Sequence, residues 1–283
     1  MESDDAESSN TYKSNPVLTI VTLLLVIASC NKPSKESLKP VVNIMPQEDT
    51  VVAVKKKSVF KKKKKTIYLT FDDGPNKGTT KVMQIADAEQ LPITMFLIGE
   101  HVYGSKAQLA IYDSIIKSNF IEIANHSFTH AHHNQFEKFY AVPDSVVKDF
   151  VRCADSLSLP YKIIRTPGRN IWRTKSIRST DIKSSTAAAD SLQQNGFTAV
   201  GWDIEWRFDG KLELECTGDI LLQQIDSMFA KGNTKSPDEL VLLAHDQAYA
   251  DANDSAELHS FFRKLKAKEE YGFDLISNYP GVK

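Results

Sequence analysis

The chain carries its chemistry in five short stretches. Thr70-Phe71-Asp72-Asp73-Gly74-Pro75 sets two carboxylates at the end of the apolar run Ile67-Tyr68-Leu69, on a Gly-Pro turn that must break a strand. Asn125-His126-Ser127-Phe128-Thr129-His130 holds two imidazoles four residues apart, with His132 and His133 close behind. On a helical turn that spacing puts both rings on one face, as a shared metal ion requires. With one strand-end carboxylate they make a two-nitrogen, one-oxygen set with coordination positions left open, the pattern of a catalytic ion rather than a structural one. Arg165 ends the run Ile163-Ile164 and needs a partner. A structural ion pair or a bidentate grip on one of the two carboxylates would each supply it. Trp202-Asp203-Ile204-Glu205-Trp206 brackets two acids with indoles that either pack in the core or floor a sugar site. His245 closes Leu240-Val241-Leu242-Leu243-Ala244, where it either caps the core or transfers protons.

These residues must be positioned by something regular. Short runs rich in Ile, Val, Leu, Phe and Thr predict strands at 66–72, 93–99, 121–126, 162–166, 198–204, 239–245 and 273–277. Helical stretches lie between them near 79–90, 105–118, 144–158, 184–195, 217–231 and 255–270. Leu109, Tyr112, Ile115 and Ile116 show the helical period, and Asn195-Gly196 and Lys231-Gly232 are helix stops. Strands alternating with helices predict a parallel sheet. The absence of a dinucleotide-type glycine fingerprint favours an α/β fold of the irregular (β/α)7 barrel kind, with mostly parallel strands. In such a barrel the reactive groups gather at the C-terminal strand ends, and most of the strand ends here carry ionisable residues.

The 283 residues hold 35 basic and 36 acidic side chains, so no nucleic-acid footprint is expected. Cys30, Cys153 and Cys216 include no Cys-x-x-Cys pair. Cys153 and Cys216 could pair in an oxidising compartment or remain buried thiols. Residues 17–28 are apolar but, as a helix, would reach only about 18 Å of a roughly 30 Å bilayer core. That length suits a signal-peptide core. Ile27-Ala28-Ser29-Cys30 resembles the lipobox of bacterial lipoproteins, with Cys30 as the lipidation site, although the leader before it is acidic. The alternative is an uncleaved anchor; in both cases 1–30 holds an exported protein at a membrane. Residues 31–65 are rich in Lys, Pro and Ser and read as a disordered, solvated tether, with a second reading as a patch for anionic lipid or wall polymer.

Taken together, residues 66–280 resemble the NodB-type polysaccharide deacetylases, carbohydrate esterase family 4. The resemblance rests on Thr70-Phe71-Asp72-Asp73-Gly74-Pro75, on His126-Ser127-Phe128-Thr129-His130, on Arg165-Thr166-Pro167 and on the Leu-rich strand ending at His245. It implies Asp72 as catalytic base and Asp73, His126 and His130 as ligands of a divalent metal, Zn²⁺ or alternatively Co²⁺ or another such ion. It implies Arg165 as the orienter of Asp72, the Gly168 amide after Pro167 as an oxyanion donor, and His245 as general acid. Where the family commonly shows Asp-x-x-Asp-Trp, this chain has Trp202-Asp203-Ile204-Glu205-Trp206, so the carboxylate that tunes His245 is Glu205 by position or Asp203 by identity. Gly168 stands where the family often has an aromatic residue.

The implied activity is metal-dependent hydrolysis of N-acetyl groups on a cell-wall or extracellular polysaccharide, releasing acetate. The substrate would lie near Gly168, Pro167, Trp202 and Trp206. The same site would also serve an O-acetyl esterase, and the altered fourth motif is compatible with a catalytically weak glycan-binding protein. No protein partner is implied.

Overall fold

The computed structural model describes residues 65–283. The expected signal or anchor segment, with Cys30, and all of the expected tether except Lys65 lie outside the described residues. No helix among the described residues is long and apolar enough to cross a membrane.

The strands are β1 (Lys65–Asp72), β2 (Ile93–Leu97), β3 (Ile121–Asn125), β4 (Ile163–Ile164), β5 (Ile171–Arg173), β6 (Arg178–Thr180), β7 (Thr198–Ala199), β8 (Ile204–Glu205), β9 (Glu239–His245) and β10 (Tyr271–Phe273). They form one sheet in the order β6-β5-β7-β4-β3-β2-β1-β9-β8, with β10 pairing β1. All pairs are parallel except β5 with β6 and β5 with β7.

The expected barrel is met in part: the mostly parallel sheet forms a half-barrel, and among the described residues no ladder joins β8 to β6. The predicted 198–204 strand divides into β7, which pairs β4, and β8, which pairs β9. Between them, Val200 and Gly201 turn their carbonyls to the Arg165 guanidinium. The gap that follows is bridged by a side chain. Asn170 donates through Nδ2 to the Trp202 carbonyl at 2.9 Å and accepts from the Trp202 amide at 3.1 Å. The β5–β6 hairpin was not expected, and the last predicted strand ends early, at Phe273, before a short turn at Ile276–Asn278.

Side chains alternate along each strand, so the two faces differ. Ile67, Leu69, Phe71, Leu240 and Leu242 pack with Val82, Leu258, Phe261 and Phe262 from the flanking helices. Tyr68, Phe96, Val241 and Val200 point the other way and pack with Trp172, Ile276 and Tyr279. The C-terminal segment closes this second face at the strand starts, where the Ile276 and Ser277 amides donate to Thr94 and Glu122. That leaves the strand C-terminal ends open.

Helix boundaries follow their caps. The Lys77–Glu89 helix begins at Asn76, whose side chain accepts from the Gly78 and Thr79 amides while Thr79 bonds back, a reciprocal capping box. The Gly218–Lys231 helix starts at Thr217 and ends on left-handed Gly232, one of the expected stops. In the Lys106–Lys117 helix the expected stripe is only partly used: Ile115 is buried, and Leu109 and Ile116 are exposed. Cys153 and Cys216 are both free thiols.

Candidate active site

Strand register assembles the site. Asp72 is level with His245 on β9 and with Phe96 on β2. Leu97 is level with Asn125, and Asn125 with Ile164, so His126 and Arg165 emerge one step beyond, at the same rim. The Asp72-Asp73 turn then changes direction sharply. Asp73 takes φ 76°, and the Gly74-Pro75 peptide is cis. A Cβ on Gly74 would stand 2.5 Å from Asp246 Oδ2, so only glycine fits the turn.

Asp73 Oδ1 lies 3.4 Å from His126 Nε2 and 3.2 Å from His130 Nε2. It is buried and has no hydrogen-bond partner of good geometry. His126 Nδ1 donates to the Arg165 carbonyl at 3.0 Å, and His130 Nδ1 to Asn134 Oδ1 at 2.5 Å. Each acceptor fixes its ring's tautomer and leaves an Nε2 lone pair aimed at the carboxylate. These three atoms, all within 4.8 Å of one another, fit a divalent cation. Burial pushes the Asp73 carboxyl up, but the two histidines outweigh it and hold it well below the usual range. Burial likewise lowers His130, and Asp73 more than offsets this, leaving its pKa raised.

The two histidines do not share a helix, contrary to the expected face. His126 follows β3, and His130 to Asn134 form a turn with φ between 47° and 69°, in the left-handed region. A left-handed stretch of non-glycine residues costs roughly 1–2 kcal/mol per residue, so its surroundings must hold it in place.

Arg165 is fully buried. Its Nη1 donates to Asp72 Oδ1 at 2.9 Å and to Thr70 Oγ1 at 2.7 Å. Nη2 donates to the Gly201 carbonyl at 3.0 Å, Nε donates to that of Val200 at 3.2 Å, and the guanidinium stacks 4.2 Å from the Phe96 ring centre. The grip on Asp72 is therefore single rather than bidentate. The other donors hold the backbone between β7 and β8. Asp72 Oδ2 lies 3.6 Å from His126 Nε2, so base candidate and metal candidates adjoin.

Neither acid proposed to tune His245 bonds to it. Asp203 accepts from the Val241 amide and the Lys235 amide, each at 2.7 Å, and so secures the edge of β9. Burial pushes its pKa up to about 6. Glu205 lies across from Leu243 and meets Arg207 at 3.6 Å. His245 Nδ1 is buried without a partner among the described residues. Trp206 is corrected as well. It is 1% exposed, donates to the Cys216 carbonyl and packs on Tyr249 and Phe261, so it cannot floor a sugar. Trp202 is half-buried and lines a depression of about 420 Å³ with Glu205 and Arg207. The cleft over the triad is separate, about 360 Å³, and is lined by Asp73, His130, Glu100, His133 and Gln247 among others. Pro167 is buried and its carbonyl accepts from the Tyr140 hydroxyl, whereas Gly168 is exposed. Among the described residues nothing accepts from the Gly168 amide.

Residues 60–174 match the family model described as polysaccharide deacetylase. Over these residues the chain carries a polysaccharide deacetylase domain. The matched stretch carries Asp72, Asp73, His126, His130 and Arg165, while Glu205 and His245 lie beyond it. The chain is 23% identical over 306 residues to a chitin disaccharide deacetylase of Vibrio alginolyticus, covering 76% of this chain and 71% of that protein. It is 32% identical over 146 residues to a chitooligosaccharide deacetylase of Bradyrhizobium sp. (strain ANU 289), covering 50% of this chain and 58% of that one. In fold it is similar to a family 4 carbohydrate esterase from Streptomyces lividans solved in complex with acetate, with TM-score 0.54, 20% identity, and coverage of 78% and 97%.

Two buried acids of this chain support the site without any motif to announce them. Asp149 accepts from the Phe128 amide at 3.0 Å, the Thr129 amide at 3.1 Å and the Thr129 hydroxyl at 3.1 Å. It thereby anchors the loop between His126 and His130. Asp246 accepts from the Asn76 side chain and the Thr79 hydroxyl, tying the end of β9 to the turn after Asp73. Burial pushes its carboxyl up to about 7. A sequence signal existed for Asp246, as the neighbour of His245. For Asp149, inside a helical run, there was none.

Proposed function

We propose that this chain hydrolyses N-acetyl groups from amino-sugar units of a polysaccharide or oligosaccharide, releasing acetate. The observation that carries the reading is the Asp73–His126–His130 cluster with Asp72 buried beside it on Arg165. The names of the Vibrio and Bradyrhizobium relatives favour a chitin-like substrate. Asp73, His126 and His130 would hold a divalent ion, Zn²⁺ or an ion of similar preference, which when bound would polarise the acetyl carbonyl and the attacking water. Asp72 accepts the proton of that water. Arg165 holds Asp72 in place through a 2.9 Å hydrogen bond. The exposed Gly168 amide donates to the oxyanion, a contribution typically worth about 10²–10³ in rate. His245, level with Asp72 across β1 and β9, donates a proton to the departing amine.

Acetate release from acetylated chito-oligosaccharide, with and without chelator, tests the reading. Asp72→Asn should keep bound metal and lose at least about 10²-fold in turnover. Full activity in Asp72→Asn would overturn the base assignment. The apolar 17–28 run and its close on Cys30 support an exported, membrane-held protein. Loss of fatty-acid labelling and of membrane fractionation in Cys30→Ser is the expected result.

A further inference from the structure

Phe136 stands beside the site without a part in the chemistry above. It opens the short Phe136–Tyr140 helix, directly after the left-handed turn that carries His130. Its ring centre lies 5.9 Å from the His130 ring, edge to face. On another side it fills the space over Gly168: a Cβ built there would stand 2.8 Å from the Phe136 Cε1 atom. Gly168 has φ +61°, so its own backbone also excludes a side chain at low cost. The Arg169 guanidinium lies 5.6 Å from the ring centre and is itself held by Ser185 Oγ at 3.1 Å and the Gly168 carbonyl at 2.8 Å. The ring is thus oriented from three sides. It is only half-buried, in contrast to Phe139 and Tyr140 of the same helix, which are buried.

We propose that Phe136 is a sugar-contacting platform at the edge of the cleft, set between a metal-ligand candidate and the exposed Gly168 amide. The proposal rests on the deacetylase reading for its substrate class. A pyranose ring presents a face of C–H groups, and a fixed aromatic ring removes that face from water without demanding hydrogen bonds. The missing side chain at Gly168 leaves the ring as the surface that a glycan meets when its acetyl group reaches the Gly168 N–H. Because the contact is made to the sugar and not to the reacting carbonyl, it holds ground state and transition state alike. Its loss should appear in KM and not in kcat.

The test uses the full chain loaded with Zn²⁺ and acetylated chitotetraose, followed by acetate release and by calorimetric binding. Phe136→Leu keeps an apolar side chain against the buried cluster of Phe139 and Ile164. It should raise KM and weaken binding by about threefold to tenfold, with kcat within about twofold of wild type. Phe136→Trp should restore both. Thermal unfolding of both variants identifies a folding defect: a Leu variant that unfolds as the wild type does and still loses affinity supports the platform. Unchanged KM and binding in Phe136→Leu, with active wild type, overturns it and leaves the deacetylase reading standing. So does a loss confined to kcat. Wild-type binding without acetate release, still weakened by Phe136→Leu, overturns the deacetylase reading and leaves the platform standing. Absence of both binding and release in the wild type overturns both.

Discussion

Arg165→Lys keeps the charge beside Asp72 and removes the fork. The arginine makes four hydrogen bonds from three nitrogens spread across its plane, to Thr70, Asp72, Val200 and Gly201. One ammonium can serve Asp72 and Thr70 but not also the two carbonyls reached by Nε and Nη2. Both carbonyls sit where the β7 path leaves the ladder, with no strand to take over. Hydrogen bonds to a charged group contribute about 1.5–3 kcal/mol each, so losing two costs about 3–6 kcal/mol. Loss of the stacking on Phe96, at a fully buried site, adds about 2 kcal/mol. For a domain of this size each kcal/mol moves Tm by about 2–4 °C, so a fall of about 10 °C or more is expected. Thermal unfolding followed by near-ultraviolet circular dichroism, with urea unfolding as a second measure, reads this directly. Acetate release should fall too, because Asp72 loses its fixed aim. A Tm within about 3 °C of wild type would refute the reasoning, since the guanidinium would then not be holding that backbone.

Asp149→Ala frees the Phe128 and Thr129 amides and loosens the loop between the two histidines. Metal affinity should fall about 10–100-fold in a competitive chelator titration, while circular dichroism stays native. Asp246 concerns pH. Its folded-state pKa of about 7 lies above the ordinary carboxylate value of 3.8, so the folded state binds the proton more tightly. The stability this contributes is complete below pH 4 and is lost as pH rises through about 7, a change on the order of 4 kcal/mol. Asp246→Asn should therefore flatten the pH dependence of urea unfolding between pH 4 and 7. An unchanged slope would place the titration elsewhere.

The ligand candidates were legible because their signals are local. Asp72 and Asp73 end an apolar run, His126 and His130 are close in sequence, and His245 closes a buried strand. Once the strands are parallel, register alone brings these ends to one rim. The errors arise where a residue's task depends on distant neighbours. Trp206 and Trp202 look alike in sequence, but Trp206 lies on the helix-covered side against Phe261 and Tyr249, whereas Trp202 stays half-exposed. Asp203 seemed a tuner of His245 and serves two backbone amides instead, an interaction without sequence spacing. The left-handed turn at His130 was read as an ordinary helical turn because its residue types do not advertise a positive φ. A closed or nearly closed barrel is expected from strand number, and the sheet fails to close where the 198–204 run turns its middle carbonyls to Arg165.

That failure gives the sheet an unusual seam. On one side β1 and β2 join the His245 wall to the His126 and Arg165 wall through an uninterrupted parallel ladder. On the other, the Asn170 carboxamide bonds the Trp202 backbone and Lys235 Nζ reaches Ser179 Oγ at 3.4 Å. The candidate site is thus mounted like a clasp, with a parallel ladder for its spine and a catch made of side chains. The distance between acid and base candidates is set at the spine, where Asp72 and His245 stand level on neighbouring strands.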